Sequence, residues 1–251
     1  YVLDMSERIR WKDRPAVILC PGGAYRFTND RESEPLACAF LAEGYHVFSL
    51  RYSTEKGIYP AALEQLARTV RLIRQNAGEW HVRKDAIVLA GFSAGGHLAA
   101  EYACKWDRPA LSAAAEAERE ELRPNALVLG YPVITAGAAA HEESIHNLLG
   151  AQDTPKMRRS VSLETQVSGC VPPVFLWHSA TDEMVNAENS LLFASALARE
   201  KIPYELHIYG SGVHGVSLGT RATVGEEKHV SHGCAGWFAQ AARFLERVLP
   251  E

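Results

Sequence analysis

Six short apolar runs with helical patterns between them constrain this sequence more than any other feature. They are PAVILC (15–20), YHVFSL (45–50), AIVLAG (86–91), ALVLGY (126–131), PVFLWH (173–178) and YELHIYG (204–210). Their continuous Val, Ile, Leu and Phe content is that of parallel strands buried on both faces. Between them Leu63, Leu66, Val70 and Ile73 recur at three- and four-residue steps. Leu191, Leu192, Ser195, Ala196 and Leu197 do the same, and so do Phe238, Ala242, Leu245 and Val248. Such repeats mark helices with one apolar face. The alternation predicts an α/β fold: a mostly parallel central sheet with helices on both faces, a three-layer sandwich with ligands at the carboxyl ends of its strands.

The chain has 251 residues, 47% of them hydrophobic, which is enough for one large core, and no linker or repeat divides it. A single domain over 1–251 is therefore expected. Residues 135–171, polar and turn-rich, read as an insertion or partial lid over the strand ends. A formal charge of -4, from 26 basic and 30 acidic residues intermixed, forms no basic patch or acidic tail. Neither nucleic acid nor a membrane is an expected partner; a small molecule is. A homo-oligomer stays open. Five dispersed cysteines without a CxxC pair argue for a reducing cytoplasm rather than a disulfide framework or zinc site. No apolar run approaches the roughly 18 residues of a membrane span. No charged-then-apolar leader precedes the first strand, and a chain that starts at Tyr1 rather than Met leaves an exported precursor open.

The chemistry-bearing motifs fall just after strands. In AIVLAGFSAGGHLAA (86–100), Gly91-Phe92-Ser93-Ala94-Gly95 joins an apolar strand to an Ala-rich helix. Small residues on either side permit a sharp turn that projects Ser93 over a helix N-terminus, the arrangement of a nucleophile elbow. A serine hydroxyl attacks only with a base to take its proton and donors to hold the oxyanion that follows. The first strand runs directly into Pro21-Gly22-Gly23-Ala24-Tyr25, so the backbone N–H groups of Gly22 and Gly23, with that of Ala94, are the expected oxyanion donors. A late strand ends in Asp182, the candidate acid, with Glu183 as its rival. The next is followed by His214 between glycines, the candidate base. His229 and His232 compete with it; His97 is expected under the turn, and His178 and His207 within strands. The order Ser, Asp, His is that of an elbow-type triad.

Tyr25, Tyr131 and Pro132 follow strands that end at this site and are the candidate substrate contacts. HEESIH holds His141, Glu142, Glu143 and His146, but a helical HExxH pair needs a histidine where Ile145 stands. No metal and no cofactor are expected.

These residues resemble a known group. CPGGAY, RYS (51–53), GFSAGGHLA, YPVIT (131–135), WHSATDEMVNAENSLLFASAL and YGSGVHGVSL are similar to the acetyl esterase and acetylxylan-esterase-like branch of the α/β-hydrolase superfamily, over about Arg14 to Leu249. The resemblance implies the α/β-hydrolase fold, a serine esterase acting on small acyl esters, acetyl esters foremost and carbohydrate esters among them, and Ser93, Asp182 and His214 as its triad. Gly22 and Gly23 match the family's Gly-rich loop. That loop carries Gly where this chain has Ala24, a substitution tolerated unless the position needs positive φ. Asn186 stands where the family often has Pro. Only about 13 residues precede the first strong strand, where the fold usually has extra antiparallel strands; YVLD reads as a remnant of one. Two other readings are a prolyl-oligopeptidase-like peptidase and a hydrolase fold kept for binding alone.

Overall fold

The computed structural model describes residues 1–3, 8, 12–231 and 233–250. All six apolar runs are strands: β1 (Arg14–Cys20), β2 (His46–Ser49), β3 (Val82–Phe92), β4 (Ala126–Gly130), β5 (Val174–Ser179) and β6 (Tyr204–Tyr209). They form one sheet in the order β2-β1-β3-β4-β5-β6, every pair parallel. The helices are α1 (Glu34–Ala42), α2 (Ala61–Gln75), α3 (Ala94–Lys105), α4 (Pro109–Ala115), α5 (Glu142–Leu149), α6 (Pro155–Ser160), α7 (Glu188–Arg199) and α8 (Trp237–Val248).

Successive strand residues point to opposite faces, so continuous apolar strands need cover on both. Ala16, Ile18, Leu89, Leu127 and Leu176 face a core closed by Leu66 and Val70 of α2, Leu98 of α3 and Phe193 of α7. Val17, Leu19, Val88, Val128 and Trp177 face a second core closed by Phe40 of α1 and Trp237 and Phe244 of α8. Connection handedness explains this division. The chain steps from β1 to β2 in one direction and from β2 across β1 to β3 in the other, and right-handed crossovers then place α1 and α2 on opposite faces.

The reversal falls between β1 and β3, the place where open α/β sheets leave a crevice beyond the strand ends. Register sharpens it. Cys20 pairs with Gly91, and Phe92 with Gly130, so the chain leaves β1, β3 and β4 side by side. The loops beginning at Pro21, Ser93 and Tyr131 therefore share one small volume.

At the far edge, Tyr1 and Val47 exchange both backbone hydrogen bonds, the amino group of Tyr1 donating at 2.8 Å and Val47 N–H at 2.9 Å. Two residues that exchange both bonds form an antiparallel-type pair, but residues 1–3 of the YVLD segment form no strand; Asp4 lies outside the described residues. Residues 135–171 differ from the turn-rich reading. They contain α5 and α6 and bury Ile145, Leu149, Val161 and Leu163 in the first core. All five cysteines are free thiols. Among the described residues no helix is long and apolar enough to cross a membrane.

Asn189, at the start of α7, fastens the turn after β4. Its Oδ1 accepts from the N–H groups of Ile134 (2.8 Å) and Thr135 (3.0 Å), and its Nδ2 donates to Ala139 O (2.9 Å). Asn189→Ala strands two buried donors and is expected to cost about 3 kcal/mol, measurable as a lower urea midpoint at unchanged slope.

Candidate active site

Ser93 sits at φ 53°, ψ -123°, between the end of β3 and the first residue of α3. A non-glycine residue there is strained by about 1–3 kcal/mol and persists only where its surroundings fix it. Close packing does so. A Cβ at Gly91 would lie 2.4 Å from Gly95 O, and one at Gly95 would lie 2.0 Å from Cys20 O, so the helix start rests directly on the ends of β3 and β1. Ser93 N–H donates to Gly130 O at 3.1 Å, and Ser93 O accepts from His97 and Val133.

His214 reaches this serine. Its Nε2 lies 2.8 Å from Ser93 Oγ and its Nδ1 lies 2.7 Å from Asp182 Oδ2. A carboxylate only accepts, so Nδ1 carries the proton and Nε2 is left to accept from the Ser93 hydroxyl. The Asp182 side chain is nearly inaccessible. Its Oδ1 accepts from Met184 N–H (2.9 Å) and Val185 N–H (3.0 Å). Burial alone would raise its pKa, but hydrogen bonds from His178 and His214 outweigh that and hold it well below the usual carboxylate range. Glu183 is exposed, and His229 caps a short turn through its Nδ1, which accepts from Glu226 N–H at 2.9 Å. His232 lies outside the described residues.

The loop after β1 departs from expectation at one position. Gly22 N–H donates to the buried Glu32 Oε2 at 2.7 Å, so Gly22 is not a free oxyanion donor. Among the described residues, the N–H groups of Gly23 and Ala94 have no protein acceptor. Gly23 adopts φ +129°, and Ala24 and Tyr25 adopt φ 53° and 56°. Position 24 is thus one of those that favour glycine, and its alanine is strained.

The three candidate substrate contacts are corrected. Tyr25 is buried and its hydroxyl meets His97 Nδ1 at 2.9 Å; Tyr131 is buried and donates to Glu32 Oε1 at 2.6 Å; Pro132 packs on Gly96. His97 lies buried beneath the turn, its Nε2 2.9 Å from Val161 O, and burial lowers its pKa so that it stays neutral.

A cleft of about 660 Å³ opens above Ser93 and His214. Gly23 and Ala24 line one side, Phe27 and Met184 are exposed at its rim, and His141 and Glu143 reach it from the 135–171 segment. Glu142 turns away to pair with Arg158 at 2.7 Å, and among the described residues no three His, Cys, Asp or Glu side chains are arranged to hold a metal ion.

Two residues escaped the sequence reading. His178, at the end of β5, places Nε2 2.9 Å from Val185 O and 3.4 Å from Asp182 Oδ2, bracing the acid's loop. Glu32 lies ten residues beyond Gly22 in a polar stretch. Glu32 stands in no motif, and His178, although within the WHSATDEM run, was read only as a strand residue; the folded loops bring both in.

Comparison with known proteins places this chain in a family. Residues 5–197 match the family model described as BD-FAE. The chain is 35% identical, over 82% of its length, to endo-1,4-beta-xylanase B of Butyrivibrio fibrisolvens, of which the match covers 33%. It spans less than half the length of the curated relatives it matches. Among solved structures it is similar to the carboxylesterase Cest-2923 of Lactobacillus plantarum WCFS1, with TM-score 0.88 and 32% identity over 100% of this chain and 93% of that one. It is also similar to an acetyl ester-xyloside bifunctional hydrolase of Caldicellulosiruptor lactoaceticus, with TM-score 0.84 and 33% identity over 99% and 86%. The α/β-hydrolase fold read from the motifs is the fold of these neighbours.

Two stability measurements follow from the site's geometry. Ala24→Gly removes a methyl group from a left-handed position and is expected to stabilise by about 1 kcal/mol, raising the thermal midpoint by about 2–4 °C. Asp182, with its depressed pKa, contributes stability that is fully present above the ordinary carboxylate value of about 3.9 and is lost as pH falls below it. Denaturant titrations should therefore show wild type losing more stability than Asp182→Asn on acidification through that range.

Proposed function

The chain belongs to the BD-FAE family, and from that premise we propose that it is a serine esterase that hydrolyses small acyl esters, acetyl esters of carbohydrates foremost. The observation that carries this reading is the hydrogen-bonded line Asp182–His214–Ser93, with contacts of 2.7 and 2.8 Å, at the floor of an open cleft. The names of the similar proteins, a carboxylesterase and an acetyl ester-xyloside hydrolase, support the choice of ester and of acetate.

In this mechanism the nucleophile, base and acid are Ser93, His214 and Asp182. His214 Nε2 takes the hydroxyl proton as Ser93 Oγ attacks the ester carbonyl. Asp182 holds the ring in that tautomer and stabilises the imidazolium formed. The carbonyl oxygen becomes an oxyanion held by the N–H groups of Gly23 and Ala94, the latter strengthened by its position at the start of α3. His214 returns the proton to the departing alcohol, leaving an acyl group on Ser93. Water, deprotonated by the same nitrogen, then releases the acid.

The cleft suits an alcohol larger than the acyl group. Its rim mixes an exposed aromatic ring, Phe27, with the ion pairs Arg26–Glu143 (3.3 Å) and Lys228–Glu226 (2.9 Å), surfaces that a polyhydroxylated alcohol can both stack on and hydrogen-bond. The test is hydrolysis of p-nitrophenyl acetate and an acetylated xylo-oligosaccharide. Ser93→Ala should abolish turnover, and Asp182→Asn should reduce kcat about 10³–10⁴-fold by leaving His214 in the wrong tautomer. Full activity in Ser93→Ala would refute the assignment.

A further inference from the structure

Glu32 stands behind the donor loop and takes no part in the proton relay. It is 1% exposed, and two donors converge on it, Gly22 N–H at Oε2 (2.7 Å) and the Tyr131 hydroxyl at Oε1 (2.6 Å). A carboxyl group withdrawn this far from water is retained where its oxygens are used. Here they are used to orient backbone. The Pro21–Gly22 peptide is gripped at both ends, its carbonyl by the Tyr52 hydroxyl at 2.6 Å and its N–H by Glu32. The next peptide is fixed through Gly22 O, which accepts from Asn29 N–H at 3.0 Å. In a trans peptide the C=O and N–H point opposite ways, so this bond turns the Gly23 N–H away from Asn29 and leaves it without a protein acceptor.

The same carboxylate is tied to the base. Tyr131 Oη, while donating to Glu32, accepts from Ser217 N–H at 3.0 Å, three residues beyond His214, and the Tyr131 ring meets the His214 ring edge-on with centroids 5.0 Å apart. A Cβ at Gly22 would lie 2.8 Å from Ser93 Cβ and 2.9 Å from Glu32 Oε2. Carboxylate, donor loop and nucleophile are in direct succession.

We propose that Glu32 is a positioning residue of the oxyanion site: clamped between Gly22 and Tyr131, it fixes the Pro21–Gly22 peptide, on which the plane presenting Gly23 N–H is hinged, and locks that loop to the one carrying His214. This role rests on the esterase reading above. Burial pushes the Glu32 carboxyl upward, opposed by the bonds from Tyr131 and Gly22 and by the charges of His214 and Arg31.

Glu32→Gln keeps the shape but offers one acceptor oxygen. If that oxygen stays on Gly22 N–H, the amide presents hydrogens to Tyr131 Oη, whose own proton is left without an acceptor. Two constants read the result: kcat/KM on p-nitrophenyl acetate, and the inhibition constant of phenylboronic acid, whose tetrahedral adduct with Ser93 places an oxygen at the donors. The expected result is a loss of about 10- to 100-fold in kcat/KM, with boronate affinity weakened in parallel, in protein that circular dichroism shows to be folded. Folded Glu32→Gln with both constants unchanged, or with slower turnover but undiminished boronate affinity, would overturn the role. Should Glu32→Gln fail to fold, Tyr131→Phe decides: it leaves the Gly22 bond intact and cuts the link to the base loop. A parallel, smaller loss in both constants supports the proposal, and no loss overturns it. Wild-type protein inert to both ester and boronate would instead sink the esterase reading, and the Glu32 role with it.

Discussion

The contact on which the site depends is the one between the start of α3 and the ends of β1 and β3. Gly95 rests so close to the carbonyls of Cys20 and Pro21 that no side chain fits. That approach forces the chain to turn within one residue, and Ser93 absorbs the turn at φ 53°. The strain is held by the parallel pairing of β1 with β3, whose register places Cys20 beside Gly91. A helix N-terminus, an exposed hydroxyl and the donor loop after β1 are three consequences of one packing event.

The remaining parts reach this point through longer loops and need separate anchoring. Asp182 is held by the N–H groups of its own turn and by His178. The loop bearing His214 is tied at one end by Thr181, whose Oγ1 donates to Gly212 O at 3.0 Å and accepts from Gly212 N–H at 3.0 Å. At the other end Trp237 Nε1 donates to Ser217 O at 2.8 Å. An imidazole that must keep both nitrogens engaged within 0.1 Å of the same length needs a loop fixed on both sides.

Strand content, the alternation with helices and the placement of Ser93, Asp182 and His214 were legible because each depends on local sequence: an apolar run, a small-residue turn, a motif beyond a strand end. What was not legible depends on side-chain direction after the chain leaves the sheet. Tyr25 and Tyr131 follow the right strands but turn into the core, and Gly22 donates backward to a glutamate ten residues away. The helices of 135–171 were hidden for another reason. In α5 only Ile145, Leu148 and Leu149 supply the apolar stripe, too short a pattern to stand out from polar neighbours. The departure at Ala24 was visible, but whether it mattered hung on a backbone angle that composition does not encode.

The burial of 135–171 also decides how the site can open. Three side chains of α3 below Ser93 lie one helical turn apart: His97, Glu101 and Lys105, all buried. Glu101 and Lys105 pair at 2.5 Å, and Tyr59 donates to Glu101 at 2.8 Å. The ladder is completed by the 135–171 segment, for Val161 O meets His97 Nε2 and Ser160 O accepts from Lys105 at 2.9 Å. Lifting the segment as a lid would leave a buried ammonium and an imidazole short of acceptors, at a cost of several kcal/mol. It is therefore a fixed wall, on which His141 is held by Ser144 Oγ at 2.8 Å and Glu143 by Arg26 at 3.3 Å. Variation in access is left to Met184, exposed at the rim, because the loop bearing Phe27 is itself tied to that wall by Arg26–Glu143 at 3.3 Å and by Asn147 Nδ2 donating to Ala24 O at 2.9 Å.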